Sequence, residues 1–248
     1  MQLIPSIDLR RGKVVRLAQG QDERATIYAD DPLDVLARFQ DAGAERVHIV
    51  DLDAAFGEPR QTAVLARMVA AAKGEKLQLG GGLRSGDLLR AALDSGFERV
   101  VVGSMAVDSP EAFGVCAAAH PGRLIPALET ENGELRSAGW RSGAGLGLAE
   151  MQRRLFPFSG LFFESLVTDI ARDGMLCGPN LDLAVSVARA LGVQAIVSGG
   201  VSGAGDVLAA AAHAEVSGVI VGRAYYEGRI DLPAALGALR AGRAGVPA

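Results

Sequence analysis

The chain repeats one local pattern about half its length apart, and that repeat restricts the folds open to it. Gly80-Gly81-Gly82-Leu83-Arg84 is followed, one helix-length on, by Val100-Val101-Val102-Gly103-Ser104. Ser198-Gly199-Gly200-Val201-Ser202 is followed in the same way by Gly218-Val219-Ile220-Val221-Gly222-Arg223. Gly82 and Gly200 stand 118 positions apart, and Gly103 and Gly222 stand 119 apart, in a chain of 248. Each copy reads as a strand ending in glycines, a helix, and an apolar strand ending in glycine plus a small or basic residue. Glycines let backbone N–H groups approach an anion, and a following helix N-terminus adds a favourable dipole. Two such sites facing each other suit a small molecule with a phosphate at each end.

Short apolar runs recur along the whole chain, at residues 3–7, 47–50, 77–79, 100–102, 124–128, 161–168, 195–197 and 219–221. Amphipathic or alanine-rich stretches lie between them, at 32–42, 62–72, 86–95, 110–119, 146–156, 181–191, 205–212 and 232–239. Asp31-Pro32 and Ser109-Pro110 have the form of an N-cap followed by a first-turn proline. Eight βα units in series without a long linker predict one closed parallel α/β barrel, a single (β/α)8 TIM barrel with a two-fold half-barrel repeat. The barrel spans residues 1–240, the halves are about 1–120 and 121–240, and 241–248 is a frayed tail. A doubly wound open sheet is the alternative architecture.

Hydrophobic residues make up 49% and aromatics 5%, so the core is expected to be aliphatic, as buried parallel strands require. A net charge of −4 and the lack of a basic stripe with interleaved aromatics argue against a nucleic-acid partner. No apolar run approaches the ~18–20 residues that span a bilayer, and the N-terminus lacks the form of a signal peptide. Cys116 and Cys177 read as unpaired thiols, and three scattered histidines predict no metal site. The expectation is a cytoplasmic monomer that needs no cofactor and takes a bis-phosphate small molecule as substrate.

Two βα loops are long: the first carries Gly12-Lys13-Val14-Val15-Arg16-Leu17, the fifth Gly133-Glu134-Leu135-Arg136-Ser137-Ala138-Gly139-Trp140. Both look like hairpins at equivalent places in the two halves, over the mouth where barrel active sites are built. Asp8 closes the first strand and Glu129 the fifth, so the repeat sets them on opposite sides of that mouth. Two carboxylates in different environments can serve as base and acid; the plainer reading is a pair of helix caps or arginine partners. Asp51 and Asp169 form a second pair, at the ends of strands two and six, equally suited to capping loop backbone. Thr168 is the better candidate for a substrate hydrogen bond. His48, facing inward, would polarise a substrate oxygen or rest as a satisfied core residue. Trp140, on its loop, would stack on a planar heterocycle or staple its own hairpin. Arg16, Arg84 and Arg223 are the cations expected near the anionic ligand.

Read together, Ile4-Pro5-Ser6-Ile7-Asp8-Leu9, Gly12 to Leu17, His48-Ile49-Val50-Asp51-Leu52-Asp53, the two glycine motifs, Thr168-Asp169-Ile170-Ala171-Arg172-Asp173-Gly174 and Gly178-Pro179-Asn180 resemble one family. It is the histidine-pathway phosphoribosylformimino-aminoimidazole carboxamide ribotide isomerases, and the likeness covers residues 1–240. The resemblance implies a metal-free, cofactor-free Amadori rearrangement of a bis-phosphorylated aminoaldose to an aminoketose. It makes Asp8 the base at ribose C2′ and Glu129 the acid at the ring oxygen. The residues expected to contact substrate are Arg16, His48, Gly81, Gly82, Arg84, Gly103, Ser104, Trp140, Thr168, Asp169, Gly178, Gly199, Gly200, Gly222 and Arg223.

The sequence departs from the family at three places. Ala127-Leu128-Glu129 stands where the family has Ala-Leu-Asp, a reach longer by roughly 1.5 Å. Ala138 stands where the family has an arginine before Gly-Trp, with Arg136 or Arg141 as substitutes. Phe162-Phe163-Glu164-Ser165 is more polar than a barrel strand requires. The alternatives are a bifunctional isomerase that also processes phosphoribosylanthranilate, the related cyclase, whose opening reads Cys-Leu-Asp-Val, and a non-catalytic phosphosugar-binding barrel.

Overall fold

The computed structural model describes residues 1–18, 21–131, 133–137 and 142–244. Eight parallel strands close into a barrel: β1 (Gln2–Arg10), β4 (Arg46–Asp51), β5 (Lys76–Gly80), β6 (Arg99–Val102), β7 (Leu124–Glu131), β10 (Glu164–Asp169), β11 (Gln194–Ser198) and β12 (Val216–Val221). Pairing of β12 with β1 and of β7 with β10 completes the ring, so the open-sheet alternative does not hold. Two antiparallel additions rise from it, β2 (Lys13–Ala18) with β3 (Gln21–Ala29), and β8 (Glu134–Ser137) with β9 (Ser142–Gly147). Six strands thus fall in each half, in the same order.

Helices follow the strands: α1 (Pro32–Asp41), α2 (Leu52–Ala55), α3 (Thr62–Ala71), α4 (Gly86–Asp94), α5 (Ser104–Asp108), α6 (Pro110–Ala119), α7 (Leu148–Leu155), α8 (Leu181–Leu191), α9 (Ala204–Ala211), α10 (Arg223–Tyr226) and α11 (Leu232–Ala244). Asp31 caps α1 by accepting from the Leu33 N–H at 3.0 Å. Ser109 makes no such bond to α6, contrary to its sequence signature. The fifth helix is shorter than its pattern: Pro157 offers no N–H, and α7 passes at Phe156 into a 3-10 turn (Phe156–Leu161), so β10 starts at Glu164 rather than 161. At the other end, α11 continues to Ala244, through the first four residues expected to be tail.

Alternation along each strand divides the core in two. Outward-facing Leu3, Ile7, Val47, Ile49, Leu79, Val100, Leu128, Val167, Val197 and Val219 pack under the helices in one large cluster. Inward-facing Ile4, Val101, Ile125, Ala127, Leu166, Ile196 and Ile220 form a second, smaller one inside the barrel. Below it lies the polar stretch that the sequence left unexplained. Glu164 accepts from Arg46 at 2.9 Å and from Arg99, while Ser165 Oγ donates to the Pro126 carbonyl at 3.1 Å. Glu164 and Arg46 are repeat equivalents facing each other across the barrel. Complementary charges there replace an apolar floor and leave the open end at the strand C-termini.

Candidate active site

At that open end both first strands run past the barrel and fold back. Arg11 and Gly12, both at positive φ (50° and 79°), make a two-residue turn that brings Val15 opposite Asp8. The Arg11 N–H donates to both oxygens of Asp53 at 3.2 Å, which fixes the turn. Arg16 then reaches inward: its guanidinium pairs with the Asp8 carboxylate and donates to the Ser6 carbonyl at 2.9 Å and to Ser6 Oγ. Burial pushes the Asp8 carboxyl above its ordinary value, and Arg16 pulls the other way.

Asp8, Glu129, Arg16, His48, Gly81, Gly82, Arg84, Gly103, Ser104, Thr168, Gly199, Gly200, Gly222 and Arg223 all line one cavity. His48 is buried with Nδ1 3.0 Å from Gln78 Nε2; with the amide as donor, the ring keeps its proton on Nε2, on the side of Gly80. Burial, with Arg16 and Arg46, lowers its pKa to about 3, so it is neutral and able to donate. Glu129 lies beside the first cradle: a Cβ on Gly103 would stand 3.5 Å from its Oε2.

Both glycine pairs have backbone that other residues resist, Gly81 and Gly82 at φ 94° and 65°, Gly199 and Gly200 at 86° and 85°. They are also pressed against the preceding loops. A Cβ on Gly81 would lie 2.2 Å from the Asp51 carbonyl oxygen, and one on Gly199 3.0 Å from that of Asp169. Gly103 and Gly222 precede α5 and α10, neither of which has a side-chain cap. Each cradle therefore offers a glycine turn and a helix start within the cavity.

Two residues expected at the substrate stand behind the site. Asp169 does not line the cavity; its carboxylate accepts from the Ala171 N–H at 3.2 Å and from Asn180 Nδ2 at 2.8 Å. Strand alternation explains this, because Thr168 faces inward and its neighbour must face out. Gly178 is also outside the lining, and its N–H donates to the Gly200 carbonyl at 2.8 Å, bracing the cradle from behind. Asp51 plays the matching part in the other half, accepting from the Ala54 and Gln61 N–H groups at 3.1 Å each. Trp140 and Arg141 lie outside the described residues. Arg136 does not replace the missing loop arginine, since it pairs with Glu131 at 2.7 Å.

Among the lining residues not expected at the site from the sequence, one is a carboxylate beside Asp8. Asp173 lies within electrostatic reach of Asp8 and Arg16, and burial, reinforced by Asp8 against the pull of Arg16, raises its carboxyl to about 6. Its signal was present in Arg172-Asp173-Gly174, but no periodicity assigns a loop residue to the barrel mouth.

Comparison with known proteins bears on this geometry. The family model described as histidine biosynthesis protein matches residues 2–231. The chain belongs to that family. A Thioalkalivibrio sulfidiphilus protein is 40% identical over 94% of this chain and 96% of its own. A Synechococcus protein is 41% identical over 96% and 94%, and a Paracoccus denitrificans protein 39% identical over 96% and 100%. All three are named 1-(5-phosphoribosyl)-5-((5-phosphoribosylamino)methylideneamino)imidazole-4-carboxamide isomerase. No second, anthranilate substrate appears in these names, and the bifunctional alternative finds no support.

Proposed function

We propose that this chain is the isomerase its relatives are named for, converting a bis-phosphorylated aminoaldose to the aminoketose by an Amadori rearrangement in histidine biosynthesis. The observation that carries the reading is the two glycine cradles at opposite sides of one mouth, with Asp8 and Glu129 on opposing strand ends between them. A substrate gripped at both phosphates spans that mouth with its ribose ring over the strand ends. Asp8, its carboxyl raised by burial, takes the proton from C2′. Glu129 delivers a proton to the ring oxygen so that the ring opens. His48 donates from Nε2 to a substrate oxygen, and Thr168 adds a hydroxyl contact.

A specific observation favours a second reading of the acid. Asp173, raised to about 6, keeps a far larger protonated fraction near neutral pH than an ordinary aspartate while lying within electrostatic reach of Asp8, the property wanted of a donor paired with that base. Glu129 would then orient the ring or the first phosphate. Among the described residues no helix is long and apolar enough to cross a membrane. One barrel mouth supplies both cradles, which supports a monomer as the working unit.

The deciding experiment is turnover of the histidine-pathway aminoaldose by wild type, Glu129→Gln and Asp173→Asn. An inert wild type that still binds the ligand reduces the chain to a phosphosugar-binding barrel. An active Glu129→Gln with an inactive Asp173→Asn transfers the acid role to Asp173.

A further inference from the structure

Tyr226 closes α10, the short helix that begins at the second cradle, and its side chain leans back toward the first strand. Its hydroxyl donates to the Ser6 carbonyl at 2.9 Å, the same oxygen that accepts from Arg16 Nη2 at 2.9 Å. The Arg16 guanidinium carbon lies 5.4 Å from the centre of the Tyr226 ring, in cation–π range. The ring is itself held: Tyr28 of the first hairpin lies 4.8 Å away, Tyr225 5.3 Å, and Phe39 of α1 6.5 Å. Arg16 is further confined by Gly222, where a Cβ would stand 2.3 Å from Nη2. The guanidinium thus sits in a slot made by a glycine, an aromatic face and one shared carbonyl, and it also donates to Ser6 Oγ and to Asp8.

We propose that Tyr226 is a positioning residue for the acid–base step, holding Arg16 so that Arg16 keeps the Asp8 carboxylate ionised and aimed at the substrate. This rests on the reading of Asp8 as the base. The ring-face contact and the common carbonyl restrict the guanidinium to one orientation. Without the ring the guanidinium loses one wall of that slot and gains room to shift, and Arg16 is the cation that faces Asp8. The charged and titratable groups around this pair are Arg16 from the hairpin, Asp173 from the loop after β10, His48 from β4, and Tyr225 and Arg38 beside Tyr226.

The test compares wild type with Tyr226→Leu and Tyr226→Phe by steady-state kinetics and by 13C NMR titration of the Asp8 carboxyl, assigned by its loss in Asp8→Asn. Removing the ring in Tyr226→Leu is expected to lower kcat about 10- to 100-fold with KM within about 3-fold. The Asp8 titration should move up by about 1 pH unit as its cation loosens. Tyr226→Phe keeps the ring and loses the shared carbonyl contact, so both effects should be present but smaller, about 3- to 10-fold in kcat. A Phe variant that matches wild type in both readouts overturns the proposal. So does a folded Leu variant whose KM rises while kcat and the Asp8 titration stay put, because the ring then serves the phosphate end. A wild type that does not turn over the aminoaldose sinks the functional reading alone, and the NMR titration still decides whether Tyr226 holds the Asp8 environment.

Discussion

The two half-barrels carry the same hairpin after their first strand, yet the arginines on those hairpins do different things. Arg10 pairs with Lys13 across the first turn and Glu131 with Glu134 across the second, so the halves superimpose in register with an offset of 121. At that offset Val15 corresponds to Arg136, and Arg16 to Ser137. Side chains alternate along a strand, so a shift of one position moves an arginine from one face of the hairpin to the other. Arg16 turns onto Asp8, whereas Arg136 pairs with Glu131 at 2.7 Å. One copy of a duplicated scaffold has become a clamp on a carboxylate; the other carries its cation to the rim. At the barrel floor, divergence has instead made the two halves complementary: equivalent positions hold Arg46 and Glu164, which meet at 2.9 Å.

This contrast is open to direct attack. The largest expected effect is on catalysis: Asp8→Asn should lower kcat/KM by about 10⁴-fold and Glu129→Gln by about 10²-fold. Equal losses would mean that the Arg16 clamp gives Asp8 no greater weight in catalysis than Glu129. At the floor, Glu164→Gln strands the buried Arg46 and should cost about 3–5 kcal/mol in chemical denaturation. A loss below about 1 kcal/mol would mean the floor charges are solvated.

The cradles give a stability comparison of the same kind. Gly81→Ala drives a Cβ to 2.2 Å from fixed backbone, against 3.0 Å for Gly199→Ala. The first should cost about 3 kcal/mol or more and the second about 1–2 kcal/mol, since both also carry the strain of positive φ. Reversed costs would show that the loop behind the second cradle is the stiffer one.

The last effect is a gain, confined to one pH range. Asp173 titrates at about 6 in the folded chain against 3.8 as its reference, so the folded state holds the extra proton across that window. Stability therefore falls as pH rises from about 4 to 6, and the charged carboxylate burdens the fold above it. Asp173→Asn should stabilise the protein by about 1–3 kcal/mol at pH 7 and leave it unchanged near pH 4 in paired thermal unfolding curves. An equal gain at both pH values would place the effect outside this titration.

Sequence alone determined the barrel, its duplication and the opposed carboxylates and glycine cradles of the cavity. Strand and helix periods are local, and a closed barrel converts strand ends into one rim, so Asp8, Glu129 and the glycine pairs were readable as a group. Local chemistry also accounts for the misreadings. An Asp at a strand end has the same signature whether it faces the mouth or caps a loop, and only the pleat sent Asp169 behind the second cradle. The polar Glu164 lacked an explanation until the barrel brought Arg46 and Arg99 to it. Asp173 and Tyr226 belong to loops and short helices with no period to mark them. Their parts were decided by tertiary structure: chain closure sets β12 beside β1, which brings Tyr226 to Ser6 across 220 positions and gives Arg16 a wall to rest on.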